Sequence, residues 1–191
     1  MSNSHTHIPV FNFKQFVIRF LFLFAVFYGG FQCWIALTSP GGLYSSWVHH
    51  YFDGITLWRN VLLWSSKQTL AIAGMETEYR SDYVLASPGG GGIKLVYSCL
   101  AFGVMSFWAA YILAMQAGGR RKILWLAGGL AGIYVINVLR LSLVLWYLNH
   151  QASFPWFDHH TWFNIAAYIF IFGMTWLHYK QTQPNKPAKR Q

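Results

Sequence analysis

Long apolar runs broken by short polar segments dominate this chain. The runs cover 16–37, 99–117, 123–148 and 160–179. Each is close to or above the roughly 20 residues a helix needs to cross about 30 Å of hydrocarbon. The pattern predicts four transmembrane helices. Ser39-Pro40-Gly41-Gly42 ends the first, and Gly118-Gly119-Arg120-Arg121-Lys122 reads as a tight basic loop between the second and third. A short segment containing Pro155 precedes the last. Gly128, Gly129, Ala131 and Gly132 in the third run allow close helix packing.

Two stretches follow a different pattern. Residues 55–72 are apolar enough for a helix, but Arg59, Ser65, Ser66, Lys67 and Gln68 interrupt them. They read as an amphipathic helix on the membrane or packed over the bundle, with a tilted span as the competing reading. Glu78, Arg80 and Asp82 alternate with Tyr79, Ser81 and Tyr83, a period of two that predicts a strand. Pro88-Gly89-Gly90-Gly91-Gly92 is then a turn and 93–97 the returning strand. The glycine run lacks the Gly-Lys-Ser/Thr ending of a phosphate-binding loop. The predicted fold is an all-α integral membrane bundle of about four spans, with an outer amphipathic helix and a small β-hairpin. Residues 1–15 form a cytoplasmic tail, 16–180 a single membrane domain and 181–191 a basic cytoplasmic tail.

Composition agrees. The chain is 55% hydrophobic and 10% charged, where soluble domains carry about 25% charged residues. Trp and Tyr are abundant, as rings at membrane interfaces are. The net charge of +9 does not indicate nucleic acid, because the basic residues are dispersed or flank apolar runs. The first run has no small-residue cleavage site after a short core, so it is expected to stay as an anchor.

Positive charge remains in the cytoplasm. Arg120-Arg121-Lys122, the basic C-terminal tail, Lys14 and Arg19 therefore share one side, and four spans satisfy all of them. Residues 39–98 and 149–159 then face outward. The location predicted is the cell inner membrane, multi-pass, with any site facing outward. Cys99 opens its run at the outer end, and His160 opens the last run there too. Arg140 lies about 26 Å from the inner end of its run, at about 1.5 Å per residue. Three runs thus deliver a cysteine, an arginine and a histidine to one outer layer.

An isolated cysteine in an apolar helix is usually inert packing, and Cys33 is read that way, as buried at mid-span. Cys99 differs because it stands at a helix start, where the dipole favours an anion. An arginine within an apolar run usually serves a site, with snorkelling as the simpler alternative for Arg140. His159 and His160 point about 100° apart on a helix. With His49, His50 and Asp53 they could also hold zinc or copper, a reading ranked below thiol chemistry. No disulfide framework, metal or cofactor is expected.

The three stretches resemble the exosortase/archaeosortase family of membrane cysteine transpeptidases. That family has a cysteine at the outer start of one span, usually as Ala-Cys-Ser-Gly, then Asn-x-x-Arg on the next span, then His-x-x-x-Gly opening another. Asn137-Val138-Leu139-Arg140 matches the second element. Ser98-Cys99-Leu100-Ala101 matches the first only at its cysteine, and His160-Thr161-Trp162-Phe163-Asn164 places Asn where the family has Gly. The resemblance implies catalytic Cys99, Arg140 and His160, with Asn137 and Asn164 facing substrate. It implies as partners exported proteins that end in a short motif, an apolar helix and a basic end. Two other classes stay open: a non-catalytic membrane assembly factor for export or polysaccharide secretion that keeps the fold, and a metal- or haem-binding membrane subunit.

Overall fold

The computed structural model describes residues 12–39, 43–115, 118–150 and 159–182, apart from the side chains of 159–164, 178, 179, 181 and 182. In chain order these form α1 (Phe13–Thr38), α2 (Ser46–Phe52), α3 (Gly54–Ile72), β1 (Glu78–Ser81), β2 (Val84–Ala86) and β3 (Gly92–Lys94). A 3₁₀ turn (Tyr97–Leu100), α4 (Phe102–Ala114), α5 (Gly119–Asn149) and α6 (His159–Thr182) complete the order. Among the described residues, α1, the stretch Tyr97–Ala114 and α5 are long and apolar enough to cross a membrane. α6 contributes the shorter apolar stretch Ile165–Leu177. The molecule is mostly helical, with one small antiparallel sheet.

Local chemistry sets the helix ends. Asn12 caps α1 by accepting from the Gln15 N–H, and α1 stops at Ser39, which the following proline keeps out of the helical region. Asp53 caps α3 through the Thr56 N–H at 2.9 Å. At the other end Gly74 is left-handed and the Met75 N–H reaches back to the Leu70 carbonyl, a glycine-closed helix end. The expected basic loop is in fact the first turn of α5: Gly118 is extended and the Lys122 N–H already bonds to the Gly118 carbonyl. The break between the two helices therefore falls earlier in the chain, ahead of Gly119. α4 likewise stops at Ala114, ahead of the expected 117.

Rings and glycines pack the long helices. On α1, Phe16 meets Tyr111, Phe20 and Phe24 meet Phe107, and Phe31 stacks on Phe102, so α1 and α4 run antiparallel. Fully buried Trp108 of α4 lies against Gly129 of α5 and donates its indole N–H to the Trp125 carbonyl at 3.1 Å. Phe170 of α6 lies against Gly132. The small residues of α5 thus permit close approach at Gly129 and Gly132, while Gly128 meets open space.

The rest covers the half of α5 that carries Arg140. α3 buries Ile55, Leu62, Leu63, Ser66 and Leu70. It bonds to α5 through Ser65 with Tyr134 and through Ser142 with the Ser66 carbonyl. The helix expected over 55–72 is present, packed on the bundle. The expected hairpin is a three-stranded meander in the order β1-β2-β3. Asp82 and Tyr83 make an additional tight turn, and Tyr97 belongs to the 3₁₀ turn instead of a strand. Leu85, Ile93 and Leu95 enter the core. The glycine run is a turn, as expected. Pro88-Gly89 fits its corners, with Gly89 at φ 70°. A Cβ on Gly90 would lie 2.7 Å from Asn149 Oδ1, so glycine also lets the turn sit on the end of α5.

Candidate active site

The centre of the site is the backbone around Cys99. The Cys99 N–H donates to the Val96 carbonyl at 2.9 Å, closing the 3₁₀ turn. Ala101 then adopts φ 60°, ψ 17°, the only left-handed non-glycine residue among those described. This reversal separates the turn from α4, whose first bond runs from the Met105 N–H to the Ala101 carbonyl. Cys99 therefore sits one turn ahead of the span helix, and does not open it as the sequence pattern suggested. The physical cause is Ala101, whose conformation costs an L-residue roughly 1–2 kcal/mol.

Two α5 side chains hold this turn. Asn137 and Arg140 are three residues apart and share a helix face. Asn137 Nδ2 donates to the Cys99 carbonyl at 2.9 Å, and an Arg140 terminal nitrogen donates to the same oxygen at 3.5 Å. The carbonyl only accepts, which fixes the orientation of the Asn137 amide. Asn137 is 1% exposed, and Cys99 and Arg140 are each 8% exposed. Arg140 does not snorkel to the surface; it is buried against the cysteine turn.

Helix α3 supports the turn as well. The Trp58 indole N–H donates to the Leu100 carbonyl at 3.2 Å. The Arg59 guanidinium stacks 5.0 Å from the Tyr97 ring centre and 5.9 Å from that of Tyr83. Lys94 lies over the same Tyr83 ring, and Ser39 donates to the Tyr97 hydroxyl at 2.6 Å. Sequence reasoning missed Trp58 and Arg59. Arg59 was visible as a charge interrupting an apolar helix, but its partners lie on the sheet and the turn, far along the chain. A groove of about 460 Å³ runs between β1 and α3, lined by Asn60, Trp64, Tyr79 and Arg80 among others.

Of the residues singled out in the sequence, Cys99, Asn137 and Arg140 come together. The side chains of His159, His160 and Asn164 lie outside the described set, although the α6 backbone begins at His159. Asn137, expected to face substrate, instead grips the cysteine backbone. Cys33, expected to be buried, is exposed on the surface of α1, and Cys99 is the buried one. α1 packs on α4 through its phenylalanine stripe, leaving Cys33 off that face. His49 pairs with Asp53 at 3.5 Å, and no group of three His, Cys, Asp or Glu side chains gathers among the described residues. No family model, curated protein or solved structure matches the chain.

Proposed function

We propose that this chain is a membrane-embedded cysteine transpeptidase or protease that cleaves C-terminal sorting signals of exported proteins. The observation that carries the reading is the joint grip of Asn137 and Arg140 on the Cys99 carbonyl. It gathers a thiol and a guanidinium from different parts of the chain into one buried place. The substrate is an exported protein with a short motif, an apolar helix and a basic end; its helix stands in the bilayer beside the bundle. The Cys99 thiolate attacks the scissile carbonyl, and a thioester forms as the amide C–N bond breaks. Arg140 stabilises the oxyanion, since its fork carries five N–H donors. His160 protonates the leaving amine and then takes the proton of the incoming amine or water. Asn164 shares the helical face of His160. The protein sits in the cell inner membrane with this site facing outward.

Helix packing supports the depth of His160. From Gly132, opposite Phe170, Arg140 is about 12 Å along α5 and residue 160 about 15 Å along α6, at about 1.5 Å per residue. The short connection between the two helices makes them antiparallel, so both distances lead the same way.

The test is cleavage of a co-expressed substrate carrying such a signal. Cys99→Ala is expected to abolish it. Arg140→Lys is expected to lower the rate about a hundredfold to a thousandfold, as for loss of an oxyanion donor. His160→Ala should be inactive and His159→Ala active. Normal cleavage by all four variants would remove the enzyme reading. It would favour a non-catalytic assembly factor, a role compatible with the hold of Asn137 and Arg140 on the Cys99 backbone.

A further inference from the structure

We infer that Trp58 and Asn137 form a clamp that holds Ala101 in its left-handed conformation and so fixes Cys99; the relevance to catalysis rests on the function proposed above. Consecutive carbonyls of the turn are taken by two different helices. Asn137 of α5 holds that of Cys99, and Trp58 of α3 holds that of Leu100. Both bonds reach across the fold, so neither is made by the turn itself. The residue after them is Ala101, at φ 60°.

An alanine has no local reason to be left-handed. Its side chain can make no hydrogen bond that would favour the conformation, as Asn or Asp can. Glycine would adopt it freely. Something outside the turn must hold it, and the Trp58 and Asn137 donors make the shorter directional contacts there, with Arg140 at 3.5 Å from the Cys99 carbonyl. Trp58 is itself seated by its ring against Tyr134, which is hydrogen-bonded to Ser65. The clamp therefore draws on α3 and α5 together. Trp58 is a positioning residue: it touches the backbone after the cysteine and acts through it.

If the clamp offsets the strain of Ala101, removing the strain should make the clamp dispensable. Full-length protein in detergent, in a Cys33→Ala background, would be compared as parent, Trp58→Phe, Ala101→Gly and the double variant. Phenylalanine keeps a ring at position 58 and deletes the donor together with part of the indole's bulk, a packing loss against Tyr134 that glycine at 101 would not restore. Two measurements are made: hydrogen exchange of the peptide covering 97–103, and the rate at which iodoacetamide alkylates Cys99. Loss of one hydrogen bond corresponds to about a fivefold change in local opening. Trp58→Phe is expected to raise both rates about fivefold. Adding Ala101→Gly should return both to near the parent. A structural loss without this link to Ala101 would not be rescued by glycine. Unchanged rates in Trp58→Phe, or no rescue in the double variant, would overturn the clamp. Neither measurement needs a substrate, so normal cleavage by Cys99→Ala would refute the enzymatic reading while leaving the clamp intact.

Discussion

Cys33 and Cys99 separate two properties that a sequence shows only together, apolar surroundings and burial. Both cysteines lie in or beside apolar runs, yet Cys33 is on the surface of α1 and Cys99 is 8% exposed. If α1 spans the bilayer, Cys33 meets lipid. A lipid-soluble maleimide is therefore expected to label Cys33 readily in membranes, and Cys33→Ala should leave cleavage of a substrate unchanged. Mass spectrometry of the labelled protein checks the first point. Failure to label Cys33 would mean that another surface covers this part of α1. Asn137 and Arg140 were named together only through the Asn-x-x-Arg resemblance; three residues apart on a helix they share one face, but their joint hold on the Cys99 carbonyl was not legible. The left-handed Ala101 was not legible, since alanine is a good helix former and gives no warning of a break. Only the donors on α3 and α5 account for it, and those are tertiary contacts.

Among the elements, α5 shows how single positions set helix spacing. Gly128 and Gly129 are neighbours with the same intrinsic cost in a helix, but their surroundings differ. A Cβ on Gly129 would lie 1.9 Å from the Trp108 indole nitrogen, whereas one on Gly128 would meet nothing within 4 Å. Trp108 cannot yield cheaply, being fully buried and hydrogen-bonded to the Trp125 carbonyl. Gly129→Ala is expected to destabilise the bundle by about 1–3 kcal/mol, the usual range for overpacking. Gly128→Ala should stabilise it by about 0.5–1 kcal/mol through helix propensity alone. Denaturant titration in detergent checks both; equal effects would mean that α4 does not pack on α5 here. The sequence marked this glycine-rich stretch as a packing surface but not which glycine faces which helix. The long helices were legible as apolar runs, whereas the short α2 was not expected. The sheet was less so: the turn at Asp82–Tyr83 carries no glycine or proline, and one strand was expected where two meet.

For the molecule as a whole, the ends of α5 define its orientation. Its 31 residues extend about 46 Å at about 1.5 Å per residue, against about 30 Å of hydrocarbon. One end therefore projects. The first turn carries Arg120, Arg121 and Lys122, and Lys122 donates to the Leu113 carbonyl at the end of α4. This end is compact and basic. At the other end, the turn of Gly90 and Gly91 lies against Leu148 and Asn149. The sheet, with its charged rim of Glu78, Arg80 and Asp82, has no place in hydrocarbon. If α5 crosses the membrane, the projecting part is therefore the one beyond Arg140, about 14 Å long, with the Cys99 turn at its base. If α5 spans the membrane, retention of positive charge predicts Arg120–Lys122 in the cytoplasm and the sheet outside. Single cysteines replacing Glu78 and Lys122 in a Cys33→Ala, Cys99→Ala background test this in intact cells with a membrane-impermeant maleimide. The cysteine at position 78 should label at once, and the one at 122 only after permeabilisation. A fusion of a cytoplasm-active reporter to the C-terminus should be active, because α6 returns the chain to the side of Lys122 if it crosses. The reverse labelling pattern would place Cys99 on the cytoplasmic side, where exported substrates do not reach it, and would end the sorting reading. A reporter inactive at the C-terminus with correct labelling at 78 and 122 would instead show that α6 lies along the membrane without crossing it.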